Sequence, residues 1–576
     1  MAVTTIAPPQ RESDKKRYRR RKDMLWTERA SWVPDWMQLV DYLAPTAGRF
    51  TVSDTNKGNK VNRGNKVNDS TARRSLRVLA AGLQAGMSSP ARPWFRLSTG
   101  DAELDDKYAV KKWLRDTEDK MRAVFASGNV YRTLHQMYVE LGAFGTACSV
   151  MTEDFNDVVH MLPLTIGEYA LATDGKNRVT ALVREVKMTV GQLVEEFGLE
   201  NCSDHVKQMF EKEILDAWVE VHHIVEPRKN RDTTKLDSKN KKFRSVYYEV
   251  GGQSDRHEGL LRDSGFDGFS VLAPRWEVTG NDVYGTGPGH EALATVRELQ
   301  HGKLRKGQAI DYQVNPPLQA PAAVKDAGAN RLPGGITYFA SVGPENTIRT
   351  MFDVKLDLGA LREDIAEIRQ AIKQHFFEDL FLMLANDNRS GITATEVAER
   401  HEEKLLMLGP VLERLENEMF DPLIDFTFDT LAKNGGLPPP PPEMQGVDLN
   451  VEYIGLLAQA QRAVALRSND RLLATVSTIA QATGDPGAWD NIDTDEMIIE
   501  YADGLGVSPK SLRSQDQRDA LRQQRAQAQQ AAQAAATAEQ AAKAGAAASQ
   551  IDPSRMQDVM GMFQGYGSPT ANEVAA

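Results

Sequence analysis

At 576 residues the chain holds about two to four domains' worth of core, because single cores stop growing near about 250–300 residues. Its formal charge of −11 excludes recruitment to nucleic acid through the global field, so any DNA contact has to be local. No stretch of about 18 apolar residues is present, which excludes a membrane-spanning helix, and Cys148 and Cys202, the only cysteines, exclude a disulfide scaffold or an all-cysteine metal site.

The first residues, "MAVTTIAPPQRESDKK", lack an apolar signal core, so no secretory signal is expected and the chain reads as made in the cytoplasm and reduced. Residues 11–22, "RESDKKRYRRRK", are basic and adjoin a stretch carrying Trp26, Trp32 and Trp36. Two readings stay open: a solvated helix start anchored by the tryptophans, or an arm that docks on nucleic acid or a partner. GNKVN recurs within residues 56–69, a polar, glycine-bearing loop. Leu76, Leu79 and Leu83 then mark a helix that stops at Gly86, and "WFRLST" reads as a strand after Pro90 and Pro93. Helices follow around 106–126 and 129–145, and shorter strand-like runs over 150–280 define an α+β region.

The second half is mainly helical. A helix covers 289–313, with Leu293, Val296, Leu299 and Leu304 on one side. Residues 314–346 are rich in proline and glycine, with a hairpin strand expected at "GITYF". Leu361, Ile365, Ile368, Ile372, Phe376 and Leu380 advance by three or four and predict one helix over 361–384. After "ANDNRSG" a further helix carries Leu405, Leu408, Leu412, Leu415, Met419 and Leu423, with kinks expected at Pro410 and Pro422. Five prolines (438–442) precede a small helical domain over roughly 450–512, and an Ala/Gln-rich helix follows. That helix has little large apolar surface; it suits either assembly with copies of itself or a flexible low-complexity tail.

The search for chemistry returns little. "YGTGPG" (284–289) resembles the start of a phosphate cradle, but His290 stands where GxGxxG needs its third glycine and no lysine follows. Pro288 also removes an N–H donor from any such cradle. The stretch reads instead as a tight turn with Pro288 near the first position of a helix. His222 and His223 are neighbours and point to opposite faces of a strand; His401 lacks the HExxH spacing. "DNIDTDE" (490–496) lacks the sixth-position glycine of a calcium loop, and Ile492 falls on a ligand position. Capping and turn roles are expected there. No catalytic, cofactor-binding or metal-binding residue is assigned.

The order of elements carries more than any one motif. "SSPARPWFRL" (88–97), "LGAFGTACSVM" (141–151), "RWEVTGNDVYGTGPGHEAL" (275–293), "NPPL" (315–318), "LPGGITY" (332–338), "FFEDLFLML" (376–384), "TATEVAER" (393–400) and "NIDTDEMIIEYADGLGVSPKSLRS" (491–514) stand in register along the chain. Together they resemble the portal, or head-to-tail connector, proteins of tailed bacteriophages, in particular short-tailed ones. The resemblance implies an α+β, mainly helical, portal-type subunit with wing, stem, clip and crown, and a C-terminal helical barrel. On this sequence it implies an N-terminal arm and wing (1–288), first stem helix (289–313), clip (314–354) and second stem helix (355–384). A tunnel loop (385–392), a kinked helix returning to the wing (393–449), a crown (450–512), a barrel helix (513–550) and a disordered tail (551–576) complete it.

The same resemblance implies a non-enzymatic virion component without cofactors or membrane contact, made in the host cytoplasm and placed at one capsid vertex. It would be a homo-oligomeric ring, a dodecamer, through which double-stranded DNA is packaged and ejected. Its partners would be the large terminase packaging motor, the major capsid protein, the scaffolding protein and a tail adaptor protein. Twelve copies at −11 each would sum to −132, and with a Debye length of about 8 Å only local cations would touch phosphate. The DNA-tunnel candidates are Asn386, Asp387, Asn388 and Arg389, with Lys303, Arg305 and Lys306; dipole compensation at a helix C-terminus or plain solvation is the other reading of these cations. Asn315, Pro316, Pro317, Gly334 and Gly335 are the clip and partner-docking candidates. Gly285, Gly287, Pro288 and Gly289 would form the wing-to-stem turn, with glycine serving backbone geometry and close packing between subunits. Two alternatives are a non-ring structural protein of the tail or ejection apparatus, and a nucleic-acid-processing enzyme, which would need a carboxylate metal cluster.

Overall fold

The computed structural model describes residues 14–50, 66–105, 107–235, 237–251, 259–314, 318–319, 349–350, 358–385, 407–444, 446–483, 486–495, 497–498, 501, 513 and 515–548. They fall into two units, Met1–Gly506 and Val507–Ala576. The chain is mixed helix and sheet.

The N-terminal arm is helix α1 (Asp14–Glu28) and helix α2 (Val33–Tyr42). Tyr18 and Leu25 lie seven residues apart, on one face of α1, and both are buried. Trp36 is fully buried, stacks 6.1 Å from Trp32 and meets Tyr284 edge to face at 4.9 Å. Arg29 is also buried, donating to the carbonyls of Gly167 (2.8 Å) and Tyr169 (2.5 Å). The arm is therefore anchored by its aromatics, the first of the two readings of this segment, while Lys16, Arg19 and Arg20 face outward.

Helices α3 (Thr71–Met87), α4 (Ala102–Asp105), α5 (Tyr108–Ser127) and α6 (Val130–Phe144) build the main core around strand β1 (Phe95–Ser98). α6 ends on Gly145 at φ +67, a left-handed cap that glycine adopts without strain. Strands β2 (Cys148–Asp154) and β3 (Val158–Leu164) follow as a hairpin. Next come β4 (Tyr169–Thr173), β5 (Val179–Thr189), helices α7 (Val190–Phe197) and α8 (Asp204–Glu211), and β6 (Trp218–Pro227), β7 (Phe243–Glu249) and β8 (Arg262–Phe266). β4 to β8 form an antiparallel five-stranded sheet in chain order, and α1 packs its buried face against Ala170, Val183, Ile224 and Val246 of that sheet. The short β9 (Val271–Leu272) pairs with β2.

Helix α9 (Pro288–Val314) and helix α10 (Leu358–His375) run antiparallel: His375 approaches Glu291 (3.9 Å) while a side chain at Gly302 would meet Ile365 (3.9 Å). Between them only β10 (Leu318–Gln319) and β11 (Arg349–Thr350) are described, paired antiparallel; "GITYF" lies outside the described residues.

The structure departs from the sequence reading in three places. The single helix expected over 361–384 is two, because Phe377 turns left-handed at φ +52 between α10 and α11 (Glu378–Ala385). Such a residue costs on the order of 1–3 kcal/mol. It lets Phe376, Leu380 and Phe381 all stay buried, with Phe381 seated on Gly82 of α3, where any Cβ would come within 2.2 Å. The break expected at Pro422 takes the form of a π turn, Glu416–Phe420, before α12 (Asp421–Lys433); a proline without N–H leaves the carbonyl four residues earlier unbonded, and the helix widens there. Pro410 lies inside helical residues 407–415. Third, the region read as helical from 450 opens with strand β12 (Asn450–Tyr453), which pairs antiparallel with β1 before helix α13 (Leu456–Thr483). The proline run is held rather than loose: the indole of Trp113 donates to the carbonyl of Pro438 at 2.8 Å. In the second unit, helix α14 (Gln515–Ala548) has 34 residues, roughly 51 Å of length at 1.5 Å per residue.

Candidate functional site

Two constructions place the functional candidates: the corner at "YGTGPG" and the helix pair that leaves it. At the corner Thr286 and Glu277 exchange backbone hydrogen bonds (2.8 and 3.1 Å), and Gly285 N–H donates to Thr146 Oγ1 at 2.8 Å. Pro288 is the first residue of α9, the position at which a missing N–H costs nothing. The glycines are dictated by proximity. A Cβ would lie 2.6 Å from the Gly145 carbonyl at Gly285, 2.8 Å from that of Leu141 at Gly287, and 2.2 Å from that of Ala143 at Gly289. The three glycines thus press on the C-terminal turn of α6, a close packing made within the one chain. Arg275, 2% exposed, fixes the other side of the corner. Its guanidinium meets Glu418 of the π turn at 2.6 Å and donates to the carbonyl of Asn177 at 2.8 Å.

The helix pair is clamped at the middle of α9 by Asp69. Its carboxylate accepts from Thr71 Oγ1 (2.6 Å) and from Arg369 (2.7 Å) and lies 3.4 Å from Lys303. Gln300 accepts from the backbone N–H groups of Asn68 and Asp69 and returns a bond to the Asp69 carbonyl. Burial pushes the Asp69 carboxyl up, but the bonds from Thr71 and Arg369 outweigh it and hold the group at about 2. Lys303 therefore serves an ion pair, whereas Arg305 is exposed and Lys306 half-buried one turn on. Leu304, Ile310, Tyr312 and Val314 on the same distal half are between 40% and 79% exposed. On α10, Glu363, Asp364 and Glu367 are exposed. Glu378, by contrast, is buried and accepts from Ser75 Oγ at 2.5 Å. Asn386, Asp387, Asn388 and Arg389, and Asn315, Pro316, Pro317, Gly334 and Gly335, lie outside the described residues.

His222 and His223 face opposite sides of β6. His223 stacks 3.9 Å from Tyr247 and accepts from Arg184 at 2.9 Å; burial, then Arg184 and Arg262, holds its pKa well below the ordinary value. His222 reveals a grouping missed in the sequence: its ring and the carboxylates of Glu185 and Glu220 bring three ligand atoms within 4.8 Å of one another. The chain's own ammonium, Lys22 Nζ, sits 2.9 Å from Glu185, so this cluster already holds a cation that pins α1 to the sheet. Only the strand pairing that aligns positions 185, 220 and 222 could have disclosed it. The calcium-like segment makes a turn, with Asp493 accepting from the Asp495 N–H at 3.0 Å.

Comparison with known proteins gives the class. The family model described as bacteriophage head to tail connecting protein matches residues 15–512. The chain belongs to this family. It is 49% identical over 558 residues to the probable portal protein of Bordetella phage BPP-1, covering 96% of this chain and 99% of that one. It is 42% identical over 520 residues to the portal protein of Salmonella phage epsilon15, covering 90% and 92%. Among solved structures, a chain from the neck of an empty gene transfer agent particle aligns at a TM-score of 0.35 and 11% identity, over 75% of this chain and 90% of that one; this likeness carries no part of the assignment.

Proposed function

We infer that the chain is the subunit of a phage portal, a ring at one capsid vertex that serves as conduit for DNA packaging and ejection and as docking site for motor and tail. The observation that carries this is near full-length similarity to two phage portal proteins. Its role is structural, and its place is the virion. In this reading residues 1–288 are arm and wing, 289–313 and 355–384 the stem, 314–354 the clip, 385–392 the tunnel loop, 393–449 the return to the wing, 450–512 the crown and 513–550 a barrel. An antiparallel helix pair clamped at mid-length and exposed along its distal half suits a channel wall. A conduit must let DNA slide, so sparse cations such as Arg305 and Lys306, and Arg389 in the loop, suit it better than a continuous basic lining. The partners of such a ring are double-stranded DNA, the large terminase motor, the major capsid and scaffolding proteins, and the tail adaptor.

Mass photometry and negative-stain microscopy of the purified protein test this directly. A ring of about twelve subunits with an axial hole is expected. A stable monomer with metal-dependent nuclease activity would sink the proposal.

A further inference from the structure

The hairpin between β2 and β3 presents a side chain that no other described residue covers. Phe155 at its tip is completely exposed, at 103% of the reference area. The turn that carries it is nevertheless built. Asp154 Oδ1 accepts the N–H groups of Asn156 (2.8 Å) and Asp157 (2.9 Å), and Val158 is held left-handed at φ +65, an uncommon state for a β-branched residue. Below the tip the strands pair without a slip from Cys148↔Leu164 to Asp154↔Val158. A strained, registered hairpin thus aims an aromatic ring at solvent inside an anionic collar, since Glu153 and Asp154 beside it are exposed.

The outward stripe of α1 has the opposite character. Lys16, Arg19 and Arg20, with Asp23 and Glu28, surround Met24 in a shallow groove, in which Met24 is 50% exposed. A polarisable thioether beside Lys16, Arg19 and Arg20, in a rim of three cations against two carboxylates, is what an aromatic within an anionic collar fits: sulfur–aromatic contact at the centre, cation–π and ion pairs on the cationic side. Both surfaces are exposed among the described residues, so the occupant of each is available on a second copy. Such a contact is head-to-tail, the kind that closes a ring when the rotation between copies fits. We propose that Phe155 of one subunit docks on the Lys16–Arg19–Met24 face of α1 of the next.

The contact rests on the ring reading, and the test separates the two. A chain carrying both Met24→Cys and Phe155→Cys is treated with a short bismaleimide; the native Cys148 and Cys202 are buried. A covalent ladder reaching the full ring is expected on a denaturing gel, with neither single variant giving it. In parallel, Glu153→Arg and Arg19→Glu should each raise the concentration needed for assembly by about tenfold or more, and the two together should restore it. Rings by mass photometry that yield no ladder overturn the contact alone. A wild-type protein that stays monomeric overturns the ring reading, and the contact with it.

Discussion

The guanidinium of Arg275 and the carboxylate of Glu418 meet at 2.6 Å although 143 residues separate them in the chain. Arg275 is 2% exposed and Glu418 is offered by a π turn, so the pair ties the corner before α9 to the helix that follows the α9–α10 pair. Removing one partner leaves a buried charge. Glu418→Ala is expected to cost roughly 3–5 kcal/mol in urea unfolding. The combined Arg275→Met, Glu418→Leu variant should cost clearly less, because no ion is then stranded.

Asp69 makes the acid limb of stability specific. Its folded pKa of about 2 lies below the unfolded value of about 3.9, so its contribution is present above that unfolded value and is lost as pH falls towards 2. Asp69→Asn should be less stable at pH 7 by about 1.5–3 kcal/mol, the worth of hydrogen bonds to a charged group. Between pH 4 and 2 its thermal midpoint should fall less steeply than that of the wild type.

Glu140 has the opposite sign. Burial pushes it up to about 7, although it accepts from Thr165 Oγ1 (2.8 Å) and the Ile166 N–H (3.2 Å). The folded state therefore binds the extra proton, and stability falls as pH rises from about 4.3 to about 7. Glu140→Gln, whose amide oxygen can accept from the Ile166 N–H while its NH2 donates to Thr165 Oγ1, should remove this decline; thermal midpoints measured at pH 5 and pH 8 check it.

The corner glycines and a helix glycine should respond in opposite directions. Gly289→Ala drives a methyl to 2.2 Å from the Ala143 carbonyl, so destabilisation of at least about 1–3 kcal/mol is expected. At Gly307 of α9 an added methyl would meet nothing within 4 Å. Gly307→Ala should stabilise by roughly 0.5–1 kcal/mol through helix propensity.

The cations of α9 should separate by role. Lys303→Ala is expected to lower the thermal midpoint by loosening the Asp69 clamp. Arg305→Ala and Lys306→Ala should leave that midpoint unchanged and alter DNA packaging or retention in assembled particles.

Local patterns in the sequence disclosed the helices well. The stripe Leu76–Leu79–Leu83 and the ending at Gly145 follow from spacing and from the backbone freedom of glycine. The break at Phe377 was hidden, because Phe376 and Leu380 continue the apolar rhythm and only Gly82, far off in the chain, reveals where Phe381 must go. The same holds for the site. "YGTGPG" announced a corner, yet that its glycines answer to the carbonyls of α6 depends on a packing that no spacing encodes. Lys303, Arg305 and Lys306 look alike in a line of letters; Asp69, over two hundred residues earlier, distinguishes them.

The ribbon of β1 and β12 has a consequence for how the molecule is made. Phe95 pairs with Tyr453, so during synthesis at about 5–20 residues per second the partner of β1 leaves the ribosome on the order of 20–70 s after β1 itself. Throughout that interval the backbone donors and acceptors of β1 are an open template for any extended chain nearby. Newly made copies emerging side by side on one message are the nearest such chains. Slower initiation, which spaces them apart, should raise the soluble yield more than slower elongation, which lengthens the wait.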